Sequence, residues 1–333
     1  MAAEAAPLVT LIATGGTIST TTDGTGRSAP TLSARDLEDL SRSTGVRLEA
    51  RDVDRRPSWT LGPADMAAIA IAARDAARTT DAGVVVTHGT TTLEGTAFLA
   101  DLVLDTDAPV VLTGAMRRAD DPEPDGPANL AAAIRVAADP CARGLGALVV
   151  FAGRILAAGS VWKAHRTDLD AFVDLAGDVG RVTAASVVVS RSVPRRPTFS
   201  GRLDERVAFV KAVAGGGGEA IDAARASGAR GLVVEALPGA GGIPPAMLPA
   251  LAAAAEGIPV VIASRAPYGR MPDRPTGGTG EPLAGLDLIS AGGLTAEQGW
   301  LLLMAALADG DDDRDVRARF RAVASFQGPA RGG

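Results

Sequence analysis

The sequence predicts an α/β protein of two domains: a larger N-terminal domain built on a doubly wound, mostly parallel sheet, and a smaller C-terminal α/β domain. Three observations carry this. Short β-branched apolar runs alternate with helix-length stretches, the pattern of a parallel sheet covered on both faces. The alternation pauses at 191–205 (RSVPRRPTFSGRLDE), rich in proline and charge, and then resumes. The chain has 333 residues, 47% apolar and 22% charged, enough for two cores. These place the N-terminal domain at 1–190, a linker at 191–205 and the C-terminal domain at 206–333.

In order, Leu8 to Ala13 (LVTLIA) reads as a buried first strand, followed at once by Thr14-Gly15-Gly16-Thr17. Two glycines there allow a sharp turn or a close backbone approach. Residues 19–30 (STTTDGTGRSAP) are polar and aperiodic, predicting a surface loop that can serve as a lid. Ser33 is placed to cap a helix running to Ser41. A strand is expected over 47–53, a loop at Pro57-Ser58-Trp59, and a helix over 63–77 with Pro63 in its first turn. Val84-Val85-Val86 is the next buried strand, Leu93 to Leu99 opens a helix, and between them lie His88, Gly89 and three threonines, Thr90, Thr91 and Thr92. Such a turn brings backbone N–H groups and hydroxyls to the carboxyl end of a sheet, where open α/β proteins bind ligands.

Strands over 109–113 and 146–151 flank a long loop (114–127) and a helix (128–138). In the second half the expected order is strand 207–213, helix 219–226, strand 231–235, helix 245–255, strand 259–263, a short strand at 286–290, and helices over 295–307 and 316–324. The glycine clusters 215–218 and 239–242 read as turns.

Composition excludes several classes. A net charge of −6 without a basic run argues against nucleic acid as a partner. One cysteine, Cys141, excludes an intramolecular disulfide, and with two histidines makes a transition-metal site improbable on ligand supply. No run approaches the ~20 apolar residues of a membrane span, and the N-terminus lacks a signal-peptide pattern; the expected location is the cytoplasm. There is no G-x-S-x-G, no Walker A motif and no G-x-G-x-x-G after the first strand. Of 33 cations, 31 are arginine; the lysines are Lys163 and Lys211. Lysine can give up a proton under suitable conditions and arginine in practice cannot. Lys211 lies in an alternating run and reads as a solvated strand position, which leaves Lys163 for chemistry. His88 reads as a residue that orients its turn by hydrogen bonding.

Several segments together resemble a known family. Ile12-Ala-Thr-Gly-Gly-Thr-Ile18 and Val86-Thr-His-Gly-Thr90 look like the two signature segments of bacterial asparaginases and glutaminases of the threonine-nucleophile type. Pro109 to Arg117 with Asp125 to Leu130, Lys163 to Asp168, Pro57-Ser58 with Ala64-Asp-Met66, and Ser290 to Leu294 match further segments of that family in the same order. The motif near residue 12, with no domain ahead of it, resembles the short form rather than the tRNA-amidotransferase subunit of the superfamily.

The resemblance implies a side-chain amide as substrate, L-asparagine by default, no cofactor, and a homo-oligomer, typically a tetramer of close dimers. It implies Thr17 as nucleophile, Thr90 and Lys163 as the proton-handling pair, and the Thr90 N–H as an oxyanion donor. Gly16, Ser58 and Gly89 would bind substrate, Ser58 holding the α-carboxylate. The chain departs from the family pattern at Thr91, where an aspartate reads the substrate's α-ammonium, and at Trp59, where a polar residue is usual. The lid tyrosine is missing, since the single tyrosine is Tyr268, and the neighbour subunit's asparagine falls near Gly242. Glu281 would take the place of the neighbour's glutamate. Losing one charged hydrogen bond to a buried ammonium costs about 1.5–3 kcal/mol. Two alternatives therefore stay open beside asparagine hydrolysis: an amide substrate lacking a free α-ammonium, with Trp59 giving an apolar surface, and a non-catalytic small-molecule-binding homologue.

Overall fold

The structure of the protein, a computed structural model, describes residues 6–40, 46–80, 82–183, 185–276, 283 and 285–325. The chain divides into two compact units, the break falling between Thr198 and Phe199.

The first unit contains β1 (Leu8–Ala13), a hairpin of β2 (Thr20–Thr22) and β3 (Ser28–Pro30), α1 (Ala34–Leu40), β4 (Arg47–Asp52), α2 (Pro63–Ala77), β5 (Val84–Thr87), α3 (Leu93–Val103), β6 (Val110–Thr113) and α4 (Gly126–Ala138). It continues with β7 (Ala147–Phe151), β8 (Arg154–Ala157), β9 (Val161–Lys163), β10 (Phe172–Asp174), β11 (Gly180–Val182) and β12 (Val187–Val189). Its main sheet has eight strands in the order β12-β11-β8-β7-β6-β5-β1-β4. The run β4-β1-β5-β6-β7 is parallel, while β8, β11 and β12 extend it antiparallel. Strands β1, β5, β6 and β7 are buried along nearly their whole length, as their Val- and Leu-rich sequences require when helices cover both faces. One face packs under α1 and α4 through Leu37, Leu130, Ile134 and Val136. On the other, α2 and α3 lie against each other and against the sheet.

The strand order places the site. The chain passes from β1 outward to β4, then returns over β1 to enter β5 on its other side. Neighbouring strands β1 and β5 thus send their connections in opposite directions, and a crevice opens beyond their carboxyl ends. The residues that follow these two strands are Thr14–Thr17 and His88–Thr92.

Four expectations from sequence are corrected. Residues 19–30 are not irregular: after a 3₁₀ turn over Thr17–Ser19 they form the β2–β3 hairpin, in which Thr20 pairs with Pro30 and Asp23 caps the turn by accepting from Thr25 and Arg27. Helix α4 starts at Gly126, two residues early, because Pro127 suits the first helical turn. The expected helix over 245–255 begins as a 3₁₀ turn, Pro245–Met247. The stretch 152–190, given no elements from sequence, holds five strands of three or four residues each. The end of the helix expected to reach Ser41 lies outside the described residues.

The second unit is a four-stranded parallel sheet, β13 (Val207–Lys211), β14 (Gly231–Ala236), β15 (Val260–Ser264) and β16 (Leu288–Ser290), in that order, with α5 (Glu219–Ala226), α6 (Leu248–Ala255), α7 (Ala296–Asp309) and α8 (Asp313–Ala324). Lys211 pairs with Glu235 at 2.8 Å on its surface. Within 191–205 the first residues are held on the first unit: Arg195 donates to the Leu104 and Thr106 carbonyls, and Arg196 to Asp101 at 2.6 Å. Ser200 donates to Asp309 in the second unit.

Candidate active site

Three loops meet at glycines beyond β1 and β5. Gly16 has φ 84° and ψ −179°, a backbone region open in practice to glycine alone. A Cβ on Gly16 would stand 2.5 Å from both N and Cα of Gly89. Gly89 is enclosed from the other side as well: a Cβ there would lie 2.6 Å from Cβ of Ser58 and 3.3 Å from Cα of Gly16. The two turns therefore pack backbone on backbone, with the Ser58 side chain set against Gly89, and side chains at the two glycines would forbid this approach.

Hydrogen bonds fix this junction. Thr14 donates to the Thr87 carbonyl through both N–H (3.1 Å) and hydroxyl (2.8 Å), tying the end of β1 to the end of β5. The Gly16 carbonyl accepts from Ser19 N–H, Ser19 Oγ and Thr20 Oγ1, at 2.9–3.1 Å. Thr92 Oγ1 donates to the Ser58 carbonyl at 3.0 Å. Asp125 accepts from the N–H groups of Met116 and Arg117, and Asn129 bridges Gly114 and Ala152, so the loop after β6 is also held.

His88 is fully buried. Its Nδ1 is 2.8 Å from the Gly89 carbonyl, which can only accept, so Nδ1 carries the proton and Nε2 accepts from Thr96 Oγ1 at 3.0 Å. Burial pushes its pKa down to about 4, against the raising effect of the Gly89 hydrogen bond. The ring is thus a neutral brace for the turn, as read from sequence.

Thr90 is buried beside this brace, and Lys163 Nζ donates to its Oγ1 at 2.8 Å. Lys163, at the end of β9, is half-buried with Nζ 6.0 Å from the Phe172 ring centroid. Burial lowers its pKa from the ordinary lysine value, and the Glu94 carboxylate acts in the opposite sense. Thr17 is half-buried in the 3₁₀ turn directly after Gly16, and among the described residues its hydroxyl forms no hydrogen bond. The site thus offers a hydroxyl beside a glycine junction and a second hydroxyl bonded to a lysine whose hold on its proton is weakened by burial. That combination suits nucleophilic attack with proton transfer.

Of the residues singled out from sequence, Gly16, Ser58 and Gly89 share one junction, with Thr17 and Thr90 adjoining it and Lys163 reaching in through Thr90. Thr91 is exposed on the same turn, and Trp59, 71% exposed, follows the buried Ser58. Glu281 lies outside the described residues. Gly242 forms a bridge with Leu237, and Tyr268 is half-exposed, both in the second unit. Sequence reasoning missed Glu94, whose Oε2 accepts the Lys163 backbone N–H at 2.6 Å. Its one signal was an acid in the first turn of the helix that follows the threonines. Among the described residues no group of three or more His, Cys, Asp or Glu side chains could hold a metal, and no helix is long and apolar enough to cross a membrane.

Comparison with known proteins identifies the family. The family "Asparaginase, N-terminal" matches residues 8–195, and "Glutaminase/Asparaginase C-terminal domain" matches 206–320. A probable L-asparaginase of Deinococcus radiodurans is 40% identical over 321 residues, covering 94% of this chain and 97% of that protein. Among solved structures, the thermostable L-asparaginase from Thermococcus kodakarensis superposes with a TM-score of 0.85 at 30% identity, covering 97% of this chain and 100% of that one. A probable cytoplasmic L-asparaginase from Campylobacter jejuni gives 0.84 at 27% identity, covering 95% and 99%. The chain belongs to the asparaginase family.

Proposed function

We propose that the protein hydrolyses L-asparagine to L-aspartate and ammonia through an acyl-enzyme on Thr17. The observation that carries the reading is the 2.8 Å hydrogen bond from Lys163 Nζ to Thr90 Oγ1 at the switch point where Thr17 also stands. Family membership and the named relatives support the substrate.

The residues divide the work as follows. Thr17 Oγ1 attacks the side-chain amide carbon; its C–O bond forms, the C–N bond breaks, and the nitrogen leaves as ammonia with the hydroxyl proton. Water then adds to the ester carbon and releases Thr17. Both steps need a base, and Lys163 meets that need because desolvation lowers its affinity for a proton. Thr90 orients that base, and the Thr90 N–H faces the developing oxyanion. Ser58, buried against Gly89, holds the substrate carboxylate with the turn amides.

Thr91 gives the site no carboxylate where the family resemblance expects one, and Trp59 stands exposed beside Ser58. These two residues favour, as a second reading, an amide without a free α-ammonium. We further propose a homo-oligomer acting in the cytoplasm, supported by the similarity to the probable cytoplasmic L-asparaginase from Campylobacter jejuni for location and by family resemblance for assembly.

The test is ammonia release from asparagine, glutamine and N-acetylasparagine by the wild type and Thr17→Ala. Release from asparagine that Thr17→Ala abolishes supports the reading. Turnover of N-acetylasparagine alone would replace it with the second, and release by Thr17→Ala at the wild-type rate would remove Thr17 as nucleophile.

A further inference from the structure

We propose that Glu94 is the positioning residue of the proton relay: its carboxylate fixes where Lys163 stands and supplies the negative charge that faces it. The proposal rests on the reading of Lys163 as the base and names the group that regulates it.

Lys163 ends β9, half of a two-stranded ribbon in which it pairs with Phe172 of β10. Each strand has three residues, and a pair this short has little stability of its own. On the ribbon's inner edge Ala164 N–H donates to the Ala171 carbonyl at 2.9 Å. The Lys163 N–H faces the other way, and Glu94 Oε2 accepts it at 2.6 Å. The tip of the same side chain reaches Thr90 Oγ1 at 2.8 Å. Both ends of the lysine are therefore held by one five-residue segment, Thr90 to Glu94, and that segment is itself braced by buried His88 and by Thr92. Glu94 lies in the first turn of α3, near the positive end of the helix dipole.

Charge gives the second half of the argument. Burial and Glu94 act on Lys163 in opposite directions, burial prevailing. The other ionisable groups on neighbouring elements are engaged elsewhere: Asp174 of β10 binds Ala157 N–H, Ser160 and Arg191; Arg154 of β8 pairs with Asp170 and Asp178; His88 is neutral. His165, on the segment after β9, accepts from Asp168 N–H. Glu94 is thus the charge that opposes burial in how readily Lys163 holds its proton, through a carboxylate that never needs to touch substrate.

Two variants separate position from charge. In Glu94→Gln the amide oxygen still accepts the Lys163 N–H, but the charge is gone. The acidic limb of the kcat/KM profile for ammonia release, where Lys163 becomes deprotonated, should move to lower pH by about one unit. Glu94→Ala removes both functions and should lower kcat at least ~30-fold with KM little altered, since the lysine handles a proton rather than the substrate. Melting temperatures measured in parallel identify a merely structural role: a lowered Tm with the limb unmoved in Glu94→Gln overturns the proposal, as does Glu94→Ala within ~3-fold of wild-type kcat. Lys163→Met separates the two readings. If it turns over at the wild-type rate, the base assignment fails. If it is inert while the Glu94→Gln limb stays in place, only the role of Glu94 falls.

Discussion

Gly16→Ala probes the packing on which the site depends. The new Cβ would lie 2.5 Å from Gly89 N and Cα, against an ordinary carbon contact of about 3.5–4.0 Å. Both partners are backbone, so neither can rotate away, and the two turns must separate by about 1 Å. Alanine must also hold φ near 84°, which costs about 1–3 kcal/mol, and overpacking adds about 1–3 kcal/mol. The sum, roughly 2–6 kcal/mol, is survivable for a protein of ordinary stability and corresponds to a Tm decrease of about 4–24 °C. Activity should suffer more than stability. Displacing Thr17 from the turn bearing Gly89 and Thr90 by about 1 Å should lower kcat/KM about 100-fold or more. The assay is steady-state ammonia release together with a thermal melt. Gly24→Ala is the control: it sits in the hairpin turn with nothing within 4 Å of its Cβ, and should leave both readings near wild type. A Gly16→Ala enzyme of wild-type kcat/KM would refute the packing argument.

Two further outcomes follow from the same site and its supports. His88 has a folded pKa of about 4 against 6.5 for the free side chain, so the unfolded chain binds more protons between those values. Its contribution is complete above pH 6.5 and is lost as pH falls toward 4, about 3 kcal/mol in all; chemical denaturation at pH 7 and pH 4.5 should show a loss that His88→Asn reduces. Asp101→Ala takes the carboxylate from the Arg196 guanidinium, in a pair only 11% and 6% exposed, and removes an acceptor from Ala147 N–H. It should cost about 3–5 kcal/mol in denaturant titration without raising KM, because the pair stands away from the Gly16–Gly89 junction.

Much of the fold is legible because its central elements each carry one clear signal. Helix α2 was bounded from Pro63 and its apolar spacing, and the parallel strands β1, β5, β6 and β7 were legible as apolar runs since both faces are buried. Strands of three residues, such as β9 and β10, have too few positions to show a period, and β2–β3 was masked by the polarity of its threonines and its Asp23–Gly26 turn. At the site, residue identities were readable from motif order. The contacts that give them meaning were not: Thr90 and Lys163 are 73 residues apart, Glu94 and Lys163 are 69 apart, and no local pattern announces either bond. The closeness of Gly16, Gly89 and Ser58 is likewise a property of strand order, because only the return of the chain over β1 sets those loops side by side.

The most direct test of the account is to identify the residue that carries the acyl group. The enzyme, mixed with asparagine and quenched in acid within the first turnovers, is digested and its peptides are weighed. The β-aspartyl ester should be found on Thr17, and should be absent from Thr17→Ala. An ester on Thr90, or product formation by Thr17→Ala, would contradict it.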